Sequence, residues 1–133
     1  MIEFHCDPPI LTKKTERPFT QTITLRDGDR EIGRAAWNAT FPNEGIVQIL
    51  ELAIDPKFRR AGHGRQLLHE LIAQARILHQ HRKQNLRRLW IGVGHKTQVI
   101  GRSFLTGEGF HHVGSTCGLL ADQDLLIYVK SLD

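Results

Sequence analysis

Apolar and polar positions alternate at period two through the first part of the chain. In "PFTQTITLRDGDREIGRAAWNATF", Phe19, Ile23 and Leu25 fall on one face, with Gln21 as the polar exception, and Thr20, Thr22 and Thr24 take the other. "RDGDRE" supplies a glycine-containing turn and "IGRAAWNATF" returns, which predicts a β-hairpin. A second turn, "PNEG", leads into "IVQILELAI", 46–54, a nearly continuous apolar run bearing only Gln48 and Glu51. Such a run predicts a strand covered on both faces, and Pro56 stops it. From Gly64 onward the period becomes helical, with Leu67, Leu68, Leu71, Ile72, Ala75 and Leu78 on one stripe. "LRRLWIGVG" predicts a strand over about 89–93, and "TQVIGRSFLTGEG" a shorter helix stopped by glycine. "FHHVGSTCGLL" and "DLLIYVKSL" predict two closing strands around "ADQD". Strands, helix, strand, helix, strands: the order predicts an α/β fold with a mixed sheet and at least one parallel crossover.

Length and charge narrow the picture. At 133 residues, 1–133 is expected to be a single domain, large enough for a core without metal or disulfide staples. No run approaches the roughly 18 apolar residues of a membrane span. "MIEFHCDPPIL" lacks the basic-then-apolar order of a secretory leader, so a cytoplasmic location without a membrane partner is expected. Cys6 and Cys117 imply no disulfide framework. The net charge of +4 raises the question of nucleic acid. The densest basic run, "HRKQNLRR", has no interleaved aromatics for base stacking and reads as a helix C-terminus with a solvated turn. The expectation is therefore against nucleic acid. His69, His79 and His81 are not spaced as a metal set, and no metal is expected.

"PKFRRAGHGRQLL", 56–68, concentrates the candidate chemistry: Arg59, Arg60 and Arg65 surround Gly62 and Gly64 where the helical pattern begins. The first N–H groups of a helix lack partners, and the aligned peptide dipoles make that end partly positive. Glycines let backbone approach an anion closely, so the stretch reads as a phosphate-binding helix start or, blandly, as a turn with solvated arginines. It is not a P-loop, because Arg65 and Gln66 follow Gly64 where Lys and Ser/Thr are needed. Nor is it a dinucleotide fingerprint, whose third glycine would stand at Leu67.

A strand ending "LAIDP" and running through "KFRRAGHGRQLL" into an amphipathic helix resembles the central motif of the GNAT family of N-acetyltransferases, whose Arg/Gln-x-x-Gly-x-Gly/Ala loop matches at Arg59, Gly62 and Gly64. "SFLTGEGFHHVG" resembles the family's second motif, a short helix followed by Gly-Phe opening a strand. The resemblance covers about residues 18–130 and implies a mixed, mostly antiparallel sheet flanked by helices. It also implies acetyl-coenzyme A as cosubstrate, its diphosphate held by the amides from Arg60 through Ala61, Gly62, His63 and Gly64 to Arg65. The main chain of Leu52, Ala53 and Ile54 would pair with the pantetheine arm as an added strand. His63 is expected to act through its amide rather than its imidazole.

The chain departs from the family in places that bear on chemistry. The tyrosine that often serves as general acid falls at Leu105, and "HKTQ" stands where an asparagine is common. Only "DPPILTKKTE" is available where two helices usually wall the acceptor site, so that N-terminal helical region is shortened and the acceptor side is expected to be open or completed by a second subunit, as in a homodimer. An amine acceptor must lose a proton before attack. Glu51 is the candidate base; period two puts Gln48, Leu50, Leu52 and Ile54 on one face and Glu51 on the other, where an arginine such as Arg34 would pair with it, and a bulge would reverse that. His111 and His112, being adjacent, face opposite sides of a strand. The expected function is transfer of acetyl from acetyl-coenzyme A to a primary amine, on a small molecule or a peptide, by direct attack. A coenzyme A-binding module without catalysis is the alternative.

Overall fold

The computed structural model describes residues 2–6, 20–94, 101–120 and 123–132. Phe19, the "DPPILTKKTE" stretch and "HKTQ" lie outside them. The strands are β1 (Ile2–Cys6), β2 (Thr20–Asp27), β3 (Arg30–Phe41), β4 (Ile46–Ile54), β5 (Arg88–Gly94), β6 (His111–Leu120) and β7 (Gln123–Ser131). Helix α1 (His63–His81) joins β4 to β5, and α2 (Arg102–Gly107) precedes β6. The seven strands form one sheet in the order β1-β2-β3-β4-β5-β7-β6. Only β4 and β5 are parallel, as a helical crossover requires; the other pairs are antiparallel. The expected mixed, mostly antiparallel sheet with flanking helices is the observed one.

One face of the sheet carries the core. Ile23, Leu25, Trp37, Ile49, Leu52 and Ile91 are buried there with the Leu67, Leu68 and Leu71 stripe of α1. Removing one such leucine to alanine typically costs about 2–5 kcal/mol, so α1 docking is a large share of a marginal total. The opposite face, with Thr22, Thr24, Asn38, Gln48 and Trp90, is only half-buried. β4 is therefore not covered on both faces, contrary to its apolar run. The register shifts between Ala36↔Glu51 and Trp37↔Ile49, leaving Leu50 as an extra residue. Val47 and Ile49 before the bulge and Leu52 and Ile54 after it consequently share the buried face. The run reads as continuously apolar because two alternating segments meet out of phase.

Both helices end in the same device. At α2, Gly109 has φ +88°, Phe110 N–H donates to Leu105 O at 2.9 Å and Gly109 N–H to Thr106 O at 3.1 Å. This is a Schellman stop, in which the residue after the left-handed one packs on the last helical turn. Leu105 and Phe110 are accordingly both fully buried. At α1, Gln84 N–H donates to His79 O and Lys83 N–H to Gln80 O, with Lys83 at φ +57° in place of glycine.

His79 is the polar exception inside that packing. Its Nδ1–H donates to Ala75 O at 2.7 Å, and among the described residues its buried Nε2 has no hydrogen-bond partner. Burial pushes its pKa below 6.5, Arg82's charge lowers it further, and the Ala75 bond partly opposes both. The unfolded chain binds a proton below about pH 6.5 that the folded chain refuses. His79 therefore leaves stability intact above that pH and subtracts from it as pH falls toward the depressed folded value. Urea unfolding at pH 7.5 and pH 5.5 (about one unit either side of the ordinary histidine pKa) should show a drop that His79→Leu reduces. An equal drop in both proteins would refute this assignment.

Candidate active site

The first residues of α1 hold the site together. Gly62 is its N-cap, at φ +80°, and no side chain caps the helix. The first intrahelical bond runs from Gln66 N–H to Gly62 O, so the amides of His63, Gly64 and Arg65 have no helical acceptor. Arg60, at φ +67°, is left-handed as well, an uncommon and costly state for a residue with a Cβ. Left-handed residues set into a turn make successive N–H groups converge, which is the geometry of an anion nest. A Cβ on Gly62 would meet nothing within 4 Å, so glycine is demanded there by its dihedral and not by crowding from the protein.

These groups line a cleft of about 610 Å³ between the β4–α1 turn and α2. Arg59, Arg60 and Arg65 line it, as do Gly62, His63 and Gly64, with Ile54, Phe58 and Phe104 as apolar walls. Among the described lining residues there is no carboxylate. Glu108, at the end of α2, pairs with Arg65 at 3.4 Å. Arg59 turns back instead, its Nε donating to Ile54 O at 3.2 Å, which ties the loop to the end of β4. His63 Nδ1 lies 3.0 Å from Gln66 Oε1; that oxygen only accepts, so Nδ1 carries the proton and the ring is engaged within the helix.

The cleft continues into a gap in the sheet. β4 and β5 pair only from Ile46↔Arg88 to Ile49↔Ile91. Beyond Ile49, the bulge carries β4 away while β5 stays paired with β7 through Gly94. Among the described residues the β5-side edge of Leu50–Ile54 has no strand partner, so its alternate N–H and C=O groups are open to a ligand. Leu52, Ala53 and Ile54 lie along this edge, and Ile54 reaches the cleft.

The bulge also decides where Glu51 stands. Glu51 sits opposite Ala36, and Gln48 opposite Asn38, so both share the half-open face. This corrects the period-two assignment, which separated them. Arg34 is on the same face, opposite Ala53. Its guanidinium bonds Glu31 Oε1 at 3.0 Å, and Glu31 first, then Glu51, hold it above its ordinary pKa. Glu51 thus lies in the field of Arg34, whose hydrogen bond goes to Glu31. Across the gap the two faces differ: arginines and helix amides on the α1 side, Glu51 and Gln48 on the other.

The remaining candidates separate. Leu105 is fully buried, and Phe104 beside it faces the cleft. His112 tilts against Tyr128 at 5.4 Å, while His111 pairs with Val129, so the two histidines take opposite faces, both exposed. Among the described residues no cluster of three or more His, Cys, Asp or Glu is arranged for a metal, and no helix is long and apolar enough to cross a membrane.

A family model described as "Acetyltransferase (GNAT) domain" matches residues 18–112. Among solved structures, a candidate acetyltransferase of the GNAT family from Desulfovibrio desulfuricans is 22% identical, with a TM-score of 0.70 over 86% of this chain and 70% of that one. A GNAT family acetyltransferase from Elizabethkingia anophelis with acetyl-CoA bound is 18% identical, with a TM-score of 0.68 over 98% of both chains. The ribosomal-protein-S18-alanine N-acetyltransferase from Escherichia coli is 19% identical, with a TM-score of 0.63 over 91% of this chain and 73% of that one. No curated protein matches the chain in sequence.

The loop geometry has a direct consequence. Gly62→Glu should cost the fold about 1–2 kcal/mol for a Cβ in the left-handed region, yet abolish acetyl-coenzyme A binding, because it sets a carboxylate among the anion-binding amides. Arg59→Ala should weaken binding roughly 10- to 100-fold by releasing the loop from Ile54, the range for a hydrogen bond to a charged group. Titration calorimetry on variants with native circular dichroism checks both. Unchanged affinity in a folded Gly62→Glu protein would reduce the stretch to a turn.

Proposed function

Because the chain belongs to the GNAT acetyltransferase family, we propose that it transfers an acetyl group from acetyl-coenzyme A to a primary amine by direct attack within a ternary complex. The observation that carries this reading is the uncapped α1 N-terminus, with Arg59, Arg60 and Arg65 around it, opening beside a strand edge that has no partner among the described residues. A diphosphate carries about two negative charges and suits such a helix start. Leu52, Ala53 and Ile54 offer main-chain hydrogen bonds to an extended amide-bearing arm, in the manner of an added strand. Together they lead a thioester toward the bulge at Leu50.

On the far face Glu51 takes the role of base, directly or through a water. An alkylammonium must lose its proton before its nitrogen can bond to the thioester carbonyl carbon. As that bond forms, charge moves to the carbonyl oxygen, which the unpaired N–H groups of the β4 edge stabilise. The carbon–sulfur bond then breaks and the thiolate leaves. A thiol pKa of about 8.5 makes it a tolerable leaving group near neutrality, which suits a site whose acid position is Leu105. The half-open face of Gln48, Glu51 and Trp90 is the acceptor side, and an amine on a small molecule or a peptide fits so open a wall.

The buried Leu105 favours one other reading, a module that binds coenzyme A without turnover. Thiol release measured over a broad amine panel separates the two. Turnover with any amine discards the module; binding with no release from any acceptor discards the enzyme. For the base, Glu51→Gln should lower kcat about 10²- to 10⁴-fold, the usual worth of general base catalysis, and leave acetyl-coenzyme A affinity unchanged. A variant with wild-type kcat would remove Glu51 from the mechanism.

A further inference from the structure

β1 is the outermost strand of the sheet, and its sequence is unusual for an edge. Ile2–Cys6 pairs with β2 through five consecutive positions without a bulge, and among the described residues no strand pairs with its outer side. Proteins commonly blunt such an edge with lysine, proline or a bulge, and "IEFHC" has none of these. Phe4 stands opposite Leu25 and Cys6 opposite Ile23, so Ile2, Phe4 and Cys6 share the core face, while Glu3 and His5 share the other. Ile23 and Leu25 are fully buried, whereas Ile2 and Phe4 remain 47% and 38% exposed. The apolar layer of the sheet runs out to its edge and is left open there.

We propose that this edge pairs with β1 of a second copy of the chain, antiparallel about a two-fold axis through Phe4. Residues directly opposite in an antiparallel pair lie on one face, so apolar must meet apolar and polar meet polar. With Phe4 on the axis, Phe4 meets the partner's Phe4, Ile2 meets the partner's Cys6, and Glu3 meets the partner's His5 twice over. Sliding by two residues in one direction sets Glu3 against the partner's Glu3; in the other it sets His5 against the partner's His5. Neither slide pairs a carboxylate with a donor, and like charges directly opposite destabilise a pair. Only the Phe4-centred register places a carboxylate opposite an imidazole, whose N–H donates to it in either protonation state. Glu3 and His5 already approach to 3.8 Å within the chain, with side chains 56% and 55% exposed, so both reach outward without unpacking the core. The five-residue strand and its charge pattern are self-complementary in the isologous sense.

The contact is small. A pair of five-residue strands falls below the roughly 1,200 Å² of a standard interface, so a dimer with Kd of about micromolar or weaker is expected. Sedimentation equilibrium of the whole chain should show a concentration-dependent monomer–dimer exchange that Phe4→Lys abolishes. The register has its own test in a Cys6→Ser, Cys117→Ser background. There, Phe4→Cys lies on the axis and should oxidise to a covalent dimer, whereas Ile2→Cys faces the partner's residue 6 and should not. Circular dichroism and thermal unfolding verify that each variant is folded. A wild-type chain that stays monomeric, a dimer indifferent to Phe4→Lys, or equal cross-linking by Ile2→Cys would each overturn the proposal. None of these readouts depends on acetyl transfer.

Discussion

One extra residue in β4 governs the rest of the site. By placing two residues of β4 against one interval of β3, the bulge at Leu50 ends pairing with β5 after Ile49 and, among the described residues, leaves the next stretch of strand unpaired on one side. Unpaired backbone donors and acceptors inside a sheet are costly unless something bonds them. The fold tolerates the gap because β5 keeps its full ladder to β7 and β4 keeps most of its ladder to β3. The opening is thus flanked on both sides by strands that are paired elsewhere. Its rim is backbone, so it offers a hydrogen-bonding pattern more than a side-chain shape.

The cleft beside the gap follows the same logic. Its positive character comes from helix amides and dipole, groups that no surface substitution removes, with arginines added around them. Arg59 is instructive, because its Nε is spent on Ile54 O and not held ready for a ligand. It couples the loop at the start of α1 to the end of β4, so the two sides of the cleft are positioned as one piece. Arg60 shows the cost of that arrangement in its left-handed backbone.

The second motif separates structure from chemistry. Its glycine and phenylalanine form a helix stop: Gly109 supplies the left-handed turn, and Phe110 packs beside Leu105 in the core. A leucine at position 105 serves that packing, so the motif stands here as architecture.

From β2 onward the order and kind of the elements were legible in the sequence, because period-two and helical spacing are local properties of the chain. β4 spans 46–54 as its apolar run indicates, and α1 starts within one residue of Gly64. The glycine-containing turn that opens α1 was equally legible, since glycines beside arginines at a helix start are a local pattern too. Three things were not. The face of Glu51, the extent of β4 burial and the direction of Arg59 all depend on pairing with β3 or on a bond across the turn, partners distant in the chain or set by its fold. A single bulged residue reverses every side chain beyond it, and no periodicity in β4 alone reveals which residue is extra. The sequence by itself determined what each segment would be; tertiary pairing decided which way each segment faced, because in a sheet the facing of a side chain belongs to the register between strands and not to either strand alone.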